Sequence, residues 1–217
     1  MRHRRHAGET PAGTGEPLVR VLEGALSRAE CRAVVHRMAD ATGHPGSVLR
    51  RSADVVDLRL RRCREHSLDA GEARLVVAAM VGAAREAHAG AVEEIRLDGP
   101  KFCSYGQGEY FRAHRDRSGD ARDPAAVRTR RLTMVCALND ADPDGGLPVF
   151  DGGALILHVP GSDGVMEARP VQPAAGSLVI FEAGLLHEVR PVRAGTRYSA
   201  IAWTFAPAGT EPAGHDG

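Results

Sequence analysis

The chain has 217 residues, 43% of them apolar and 26% charged, and its 28 basic side chains are balanced by 28 acidic ones. No apolar run approaches the roughly 18 residues needed to cross a membrane, and a net charge of zero argues against a nucleic-acid partner. This length suits one domain with its own core.

The opening MRHRRHAGETPAGTGEP carries charge but no apolar stretch behind it, so it is not a secretory signal. Its Gly, Pro and Thr content predicts a disordered arm over 1–17, and APAGTEPAGHDG predicts a similar tail over 207–217. A single domain is expected between them, over 18–206. Four cysteines, Cys31, Cys63, Cys103 and Cys136, form no CxxC pair, which points to a reducing cytoplasm rather than a disulfide framework or closed zinc site.

Within the domain, Ser27 and Glu30 form a capping box that opens a helix running to about Ala41. Asp69 to His88 reads as a second helix with an apolar stripe through Leu75, Val76, Ala79, Met80 and Ala83. From Glu93 onward the pattern becomes short alternating segments, 93–105, 109–115, 131–138, 154–159, 177–182, 187–190 and 196–205, broken by Gly, Pro and Asp. Seven or eight such strands behind two helices predict an α+β fold, a cupin-like jelly roll buttressed by the N-terminal helices.

His114 and Asp116 stand one residue apart in the extended stretch Glu109 to Asp116, where residues i and i+2 project to one face. An HxD triplet arises by chance in a chain this rich in His and Asp, so its weight comes from context. His187, in a segment that reads as strand, turn and strand, supplies a third donor. Two imidazoles and one carboxylate, with further positions open, suit a non-haem Fe(II) centre; a catalytic zinc fits the same ligand types. If 191–195 is a hairpin turn, Arg197 becomes a diagonal cross-strand neighbour of His187, roughly 7–8 Å away. That offset predicts a short dicarboxylate that chelates the metal at one end and pairs with the guanidinium at the other.

The segments CSYGQGEYFRAHRD, RRLTMVCALND, DGGALILHV and HEVRPVRAGTRYSAIAWTF, in this order, resemble the 2-oxoglutarate and Fe(II)-dependent oxygenases, in particular the prolyl-hydroxylase-like branch. The resemblance covers about half of the chain, Lys101 to Phe205. It implies a jelly-roll (double-stranded β-helix) core, iron held by His114, Asp116 and His187, and 2-oxoglutarate held by Arg197 and Tyr105. Trp203, on the same strand face as Arg197, would line the iron pocket. Where some prolyl hydroxylases carry a second tyrosine before the Leu-Asn pair, this chain has Ala137, and Thr133 is the candidate to replace that contact. The implied activity is hydroxylation of an unactivated C–H in an amino acid, peptidyl residue or amino-acid-derived metabolite. Dioxygen is consumed, succinate and carbon dioxide are released, and ascorbate is a candidate reductant.

The rivals are a cupin-like metal-binding protein or zinc isomerase that uses no oxygen, and a nucleic-acid demethylase on the same fold, which the neutral charge disfavours. The arginines 115, 117, 122, 128, 130 and 131 flank the triplet. Besides a solvated face, they admit a lid over 117–130 that recruits an anionic substrate group. His158 reads as a packed strand histidine outside the site, Gly152-Gly153 as a turn or bulge, and Cys136 as a small core residue.

Overall fold

The computed structural model describes residues 17–50, 53–87, 96–161, 163 and 165–205. Apart from Pro17, the arm and tail expected at the two ends lie outside the described residues. So do the ends of two expected elements, His88 and residues 93–95.

Helix α1 spans Arg28–Asp40 and begins with the expected capping box: the Ser27 side chain accepts from the Glu30 backbone N–H, and the Glu30 carboxylate accepts from that of Ser27. Its buried residues Cys31, Val34, Val35 and Met38 follow the spacing of one helical face. Helix α2 spans Ala70–Ala87. It opens with a second reciprocal pair, in which Glu72 N donates to Asp69 Oδ1 at 2.8 Å and Asp69 N donates to Glu72 Oε2 at 3.0 Å. Its buried stripe is Val76, Met80, Ala83 and Ala84, rotated slightly from the expected one, so Leu75 remains 37% exposed. A one-turn helix, α3, covers Ala125–Arg128. Among the described residues no helix is long and apolar enough to cross a membrane.

The remainder is mostly β-sheet, consistent with a jelly roll. A seven-stranded antiparallel sheet has the spatial order Val19–Leu22, Leu178–Glu182, Arg130–Ala137, Arg197–Phe205, Leu97–Tyr105, Arg64–His66 and His44–Pro45. A five-stranded antiparallel sheet has the order Met166–Val171, Leu155–Pro160, His187–Val189, Tyr110–His114 and Arg61–Arg62. All seven strands expected after Glu93 are present. The short strands between 44 and 66 were not anticipated, because two or three residues carry no readable period.

Strand alternation divides the large sheet's side chains between two cores. Leu132, Met134, Cys136, Leu178, Ile180, Ala200 and Ala202 pack with the buried faces of α1 and α2. Cys103, Tyr105, Val135, Val179 and Phe181 turn the other way and pack with Leu155, Leu157, Val159 and Val189 of the small sheet. The helices therefore close one face of the large sheet, and the other face becomes the interior of the sandwich.

Asn139 anchors the strand that carries Arg197. It is 1% exposed; its Nδ2 donates to Pro148 O at 2.7 Å and Thr196 O at 2.8 Å, and its Oδ1 accepts from Tyr198 N at 2.7 Å. Asn139→Ala strands those three backbone groups and is expected to cost about 3 kcal/mol of stability, read from a urea or guanidinium denaturation curve.

Candidate functional site

His114 closes the strand Tyr110–His114, and His187 opens the strand His187–Val189. The two are direct cross-strand partners in the small sheet, with ring centroids 4.2 Å apart. Asp116 reaches them by a different route from the expected one. The strand ends at His114, and the chain then bends, held by Asp116 N and Arg117 N, which both donate to Ala183 O at 3.0 and 2.8 Å. The bend places Asp116 Oδ1 3.6 Å from His114 Nε2, and Oδ2 3.3 Å from His187 Nε2. One donor atom from each of the three residues lies within 4.8 Å of the others.

The imidazole tautomers follow from the backbone. His114 Nδ1 is 2.8 Å from Arg112 O and His187 Nδ1 is 2.9 Å from Leu185 O. A carbonyl only accepts, so each Nδ1 carries a proton, and each Nε2, turned toward Asp116, is the ring nitrogen left for a metal. Phe111 stacks on His114 at 3.5 Å and Phe181 meets His187 edge-on at 4.8 Å, which holds both rings in place. Burial by itself would raise the Asp116 carboxyl. The His187 charge and hydrogen bonds with both imidazoles outweigh it and hold Asp116 well below the usual carboxylate range. Burial lowers His114; His187, also pressed down by burial, is raised overall by the Asp116 charge. The donor set fits a divalent iron: two imidazole nitrogens and one carboxylate oxygen, close enough to share one ion.

Thr133, the candidate for a co-substrate contact, lines the cavity that holds the triad. Its Oγ1 donates to Asp116 Oδ2 at 2.7 Å from the facing sheet. The hydroxyl therefore aims the Asp116 carboxylate from within the cavity lining.

Arg197 is 6% exposed and faces the triad across the interior. The expected hairpin is absent: His187–Val189 belongs to the small sheet and Arg197–Phe205 to the large one. Between them, Val192–Gly195 pairs with Phe150–Gly152, and the chain passes from one layer to the other. Arg197 is instead the cross-strand partner of Tyr105, with its Cζ 5.5 Å from that ring's centroid. Its Nη1 donates to Ser199 Oγ at 3.1 Å, and no carboxylate pairs with it among the described residues. Burial lowers its pKa. Tyr105 Oη and Trp203 Nε1 are also buried without a hydrogen-bond partner among the described residues.

Arg130 covers Trp203, its Cζ 3.7 Å from the ring centroid, and pairs with Asp98. Its Nη1 also donates to Asp116 O at 3.4 Å. The neighbouring arginines are largely engaged: Arg115 with Gly184 O, Arg122 with Asp120 and Arg128 with Asp123 O. His158 stands apart from the triad, its Nε2 3.5 Å from Glu188 Oε1, as expected. Arg61, Lys101 and Phe111 also line the cavity, and sequence reasoning missed them. The available signal was Lys101, the only lysine, an even number of residues before Tyr105 on one strand.

Comparison with known proteins agrees with this geometry. Residues 100–205 match the model of the 2OG-Fe(II) oxygenase superfamily. A PKHD-type hydroxylase of Gluconacetobacter diazotrophicus is 31% identical over 111 residues, 51% of this chain and 44% of that protein. One from Pseudomonas putida is 33% identical over 106 residues, 48% of this chain and 42% of that protein. The chain thus spans less than half the length of the curated relatives it matches. A crystal structure of a Pseudomonas putida prolyl-4-hydroxylase superposes with a TM-score of 0.63 at 26% identity, over 87% of this chain and 92% of the other. A Trichoplax adhaerens prolyl hydroxylase, solved with a hypoxia inducible factor oxygen degradation domain peptide fragment, superposes at 0.62 and 19% identity, over 86% and 83%, and shares the fold.

Two substitutions test the donor set by competition titration of Fe(II). His187→Ala is expected to abolish binding or weaken it severely; unchanged affinity would remove His187 from the set. Thr133→Val leaves Asp116 Oδ2 without its donor and is expected to weaken binding by about ten-fold or more.

Proposed function

We propose, for a chain that belongs through residues 100–205 to the 2-oxoglutarate and Fe(II)-dependent oxygenase superfamily in its prolyl-hydroxylase-like branch, that it is a 2-oxoglutarate-dependent dioxygenase. It hydroxylates an unactivated C–H of an amino acid, peptidyl residue or amino-acid-derived metabolite. The balance is substrate R–H, dioxygen and 2-oxoglutarate to R–OH, succinate and carbon dioxide. The core is then a double-stranded β-helix, with α1 and α2 as its N-terminal buttress. The observation that carries this reading is Arg197, a buried guanidinium that faces the triad and has no carboxylate partner among the described residues. A buried charge is costly to leave unpaired, so the residue calls for an anionic ligand at that position.

His114, Asp116 and His187 would hold Fe(II). The ion, with 2-oxoglutarate chelated beside it, would supply the coupling of dioxygen reduction to oxidative decarboxylation. The chain's own residues do the rest. Arg197 offers a planar fork for the far carboxylate of 2-oxoglutarate, and Tyr105 Oη, orphaned within the same cavity, can donate to that carboxylate. The backbone bonds at each Nδ1 hold the imidazoles in their ligating tautomer, and Thr133 keeps Asp116 turned toward them. Leu155, Val135, Val189 and Ile201 line the cavity with apolar surface, limiting water at the reacting centre. Trp203, under Arg130, forms part of the same wall. The segment 117–130 would serve as the lid, hinged where Arg130 joins Asp98 and the Asp116 carbonyl. Ascorbate would act as reductant and the cytoplasm would be the compartment.

The experiment is an anaerobic titration of the apo-protein with Fe(II) and then 2-oxoglutarate, following the visible charge-transfer band that requires bidentate chelation. Wild type is expected to develop the band. Arg197→Ala should need at least about ten-fold more 2-oxoglutarate while binding iron nearly as before. Iron binding with no band would overturn the oxygenase reading and favour a metal-binding protein that uses no oxygen.

A further inference from the structure

We propose that Arg61 and Lys101 form a second anion-binding position in the same cavity, and that it grips a carboxylate of the substrate. The substrate is then a small carboxylic acid, with a free amino acid as the leading class, rather than an internal residue of a protein chain. The inference rests on the assignment of Arg197 to the co-substrate.

Three cations line the cavity: Arg61, Lys101 and Arg197. With Arg197 assigned, the other two share one carboxylate. Arg61 is 4% exposed; its Nη1 donates to Glu65 Oε1 at 2.5 Å and Ser47 O at 2.6 Å, and its Nη2 to Cys103 Sγ at 3.1 Å. Its Nε is buried and has no partner among the described residues. Lys101 Nζ approaches Glu65 Oε2 only at 3.9 Å, its one ion pair among the described residues. The remaining neighbour of that carboxylate, His44 Nε2 at 3.9 Å, brings no negative charge. Asp98, on the strand that carries Lys101, is already paired with Arg130. Two cations against one carboxylate leave one positive charge in excess; Arg61 is buried, while the Lys101 side chain keeps 35% exposure and so is open to an incoming anion. A carboxylate from the substrate would accept from Arg61 Nε with one oxygen and from Lys101 Nζ with the other.

The position fits a substrate rather than a second co-substrate. Lys101 and Tyr105 share one face of a single strand and are four residues apart, which puts them about 13 Å from each other. Lys101 therefore stands along the strand from the Arg197 end, and Arg61, bonded to Cys103, lies between Lys101 and Tyr105. Phe111 touches both this position and the metal ligands: the Arg61 Cζ is 4.8 Å from its ring centroid, and His114 stacks on the same ring at 3.5 Å. An acid held there places a carbon a few bonds from its carboxylate against the triad. Glu65 gives the grip its rigidity, since its ion pair fixes the Arg61 fork.

The test uses the full chain loaded anaerobically with Fe(II) and 2-oxoglutarate, titrated by calorimetry with the common free L-amino acids and with their amides. The same compounds are assayed in air for stimulated succinate release. At least one free acid is expected to bind and stimulate, and its amide to bind about ten-fold more weakly or worse. Lys101→Met should weaken binding of that acid by a similar factor, with 2-oxoglutarate affinity as the control for folding. Arg61→Lys, which keeps a cation beside Glu65 but loses the Nε donor, should shift acid binding in the same direction. Acids and amides binding alike, Lys101→Met without effect on the acid, or no free acid binding to the loaded protein would each overturn the proposal. Failure of 2-oxoglutarate itself to bind would instead overturn the assignment on which it rests.

Discussion

A carboxylate charge kept in a nearly dry interior requires partners on several sides, and the residues around Asp116 come from separate parts of the chain to provide them. His114 precedes it by a bend, His187 comes from the paired strand, and Thr133 reaches over from the opposite sheet. The bend itself hangs on a single carbonyl, that of Ala183, which accepts from two successive backbone N–H groups. The two sheets must therefore be in register with each other as well as internally. A shift of either layer would leave a buried charge without its donors, a loss larger than that of a surface ion pair.

The same accounting of charge organises the rest of the cavity. Its apolar walls come from the inward set of an alternating sheet, and its cations stand where few protein carboxylates meet them. Structural ion pairs are satisfied within the protein, as Arg130 is by Asp98 and Arg193 by Asp151. Arg197 differs from these in having its guanidinium buried and its carboxylate partner missing among the described residues. That contrast is what supports reading Arg197 as a binding group in a chain that uses arginine almost everywhere.

Much of the fold was legible because its signals are local. The capping box at Ser27 and Glu30 names the start of a helix, and the alternation of Leu132, Thr133, Met134, Val135 and Cys136 names a strand with two different faces. What failed was also local in origin. The run from His187 to Phe205 contains a turn, so it read as a hairpin, yet the chain there changes layers. Nothing in the composition of a turn states whether the next strand returns beside the last or joins the opposing sheet. The strands between His44 and His66 are too short to show a period, so no local signal marked Arg61 as a cavity residue.

The amino-acid sequence by itself determined the donor types and their order: HxD, a distal histidine and a basic residue ten positions beyond it, on strands whose faces follow from period two. Those properties depend only on side-chain chemistry and backbone geometry over a few residues. Tertiary structure decided which groups converge and which are already satisfied. It joined Thr133 to Asp116, set Tyr105 opposite Arg197, and brought Arg61 and Lys101 to one glutamate. The physical reason is that a charged or polar group's role in a low-dielectric interior depends on the partners it finds there, and those partners are distant in the chain.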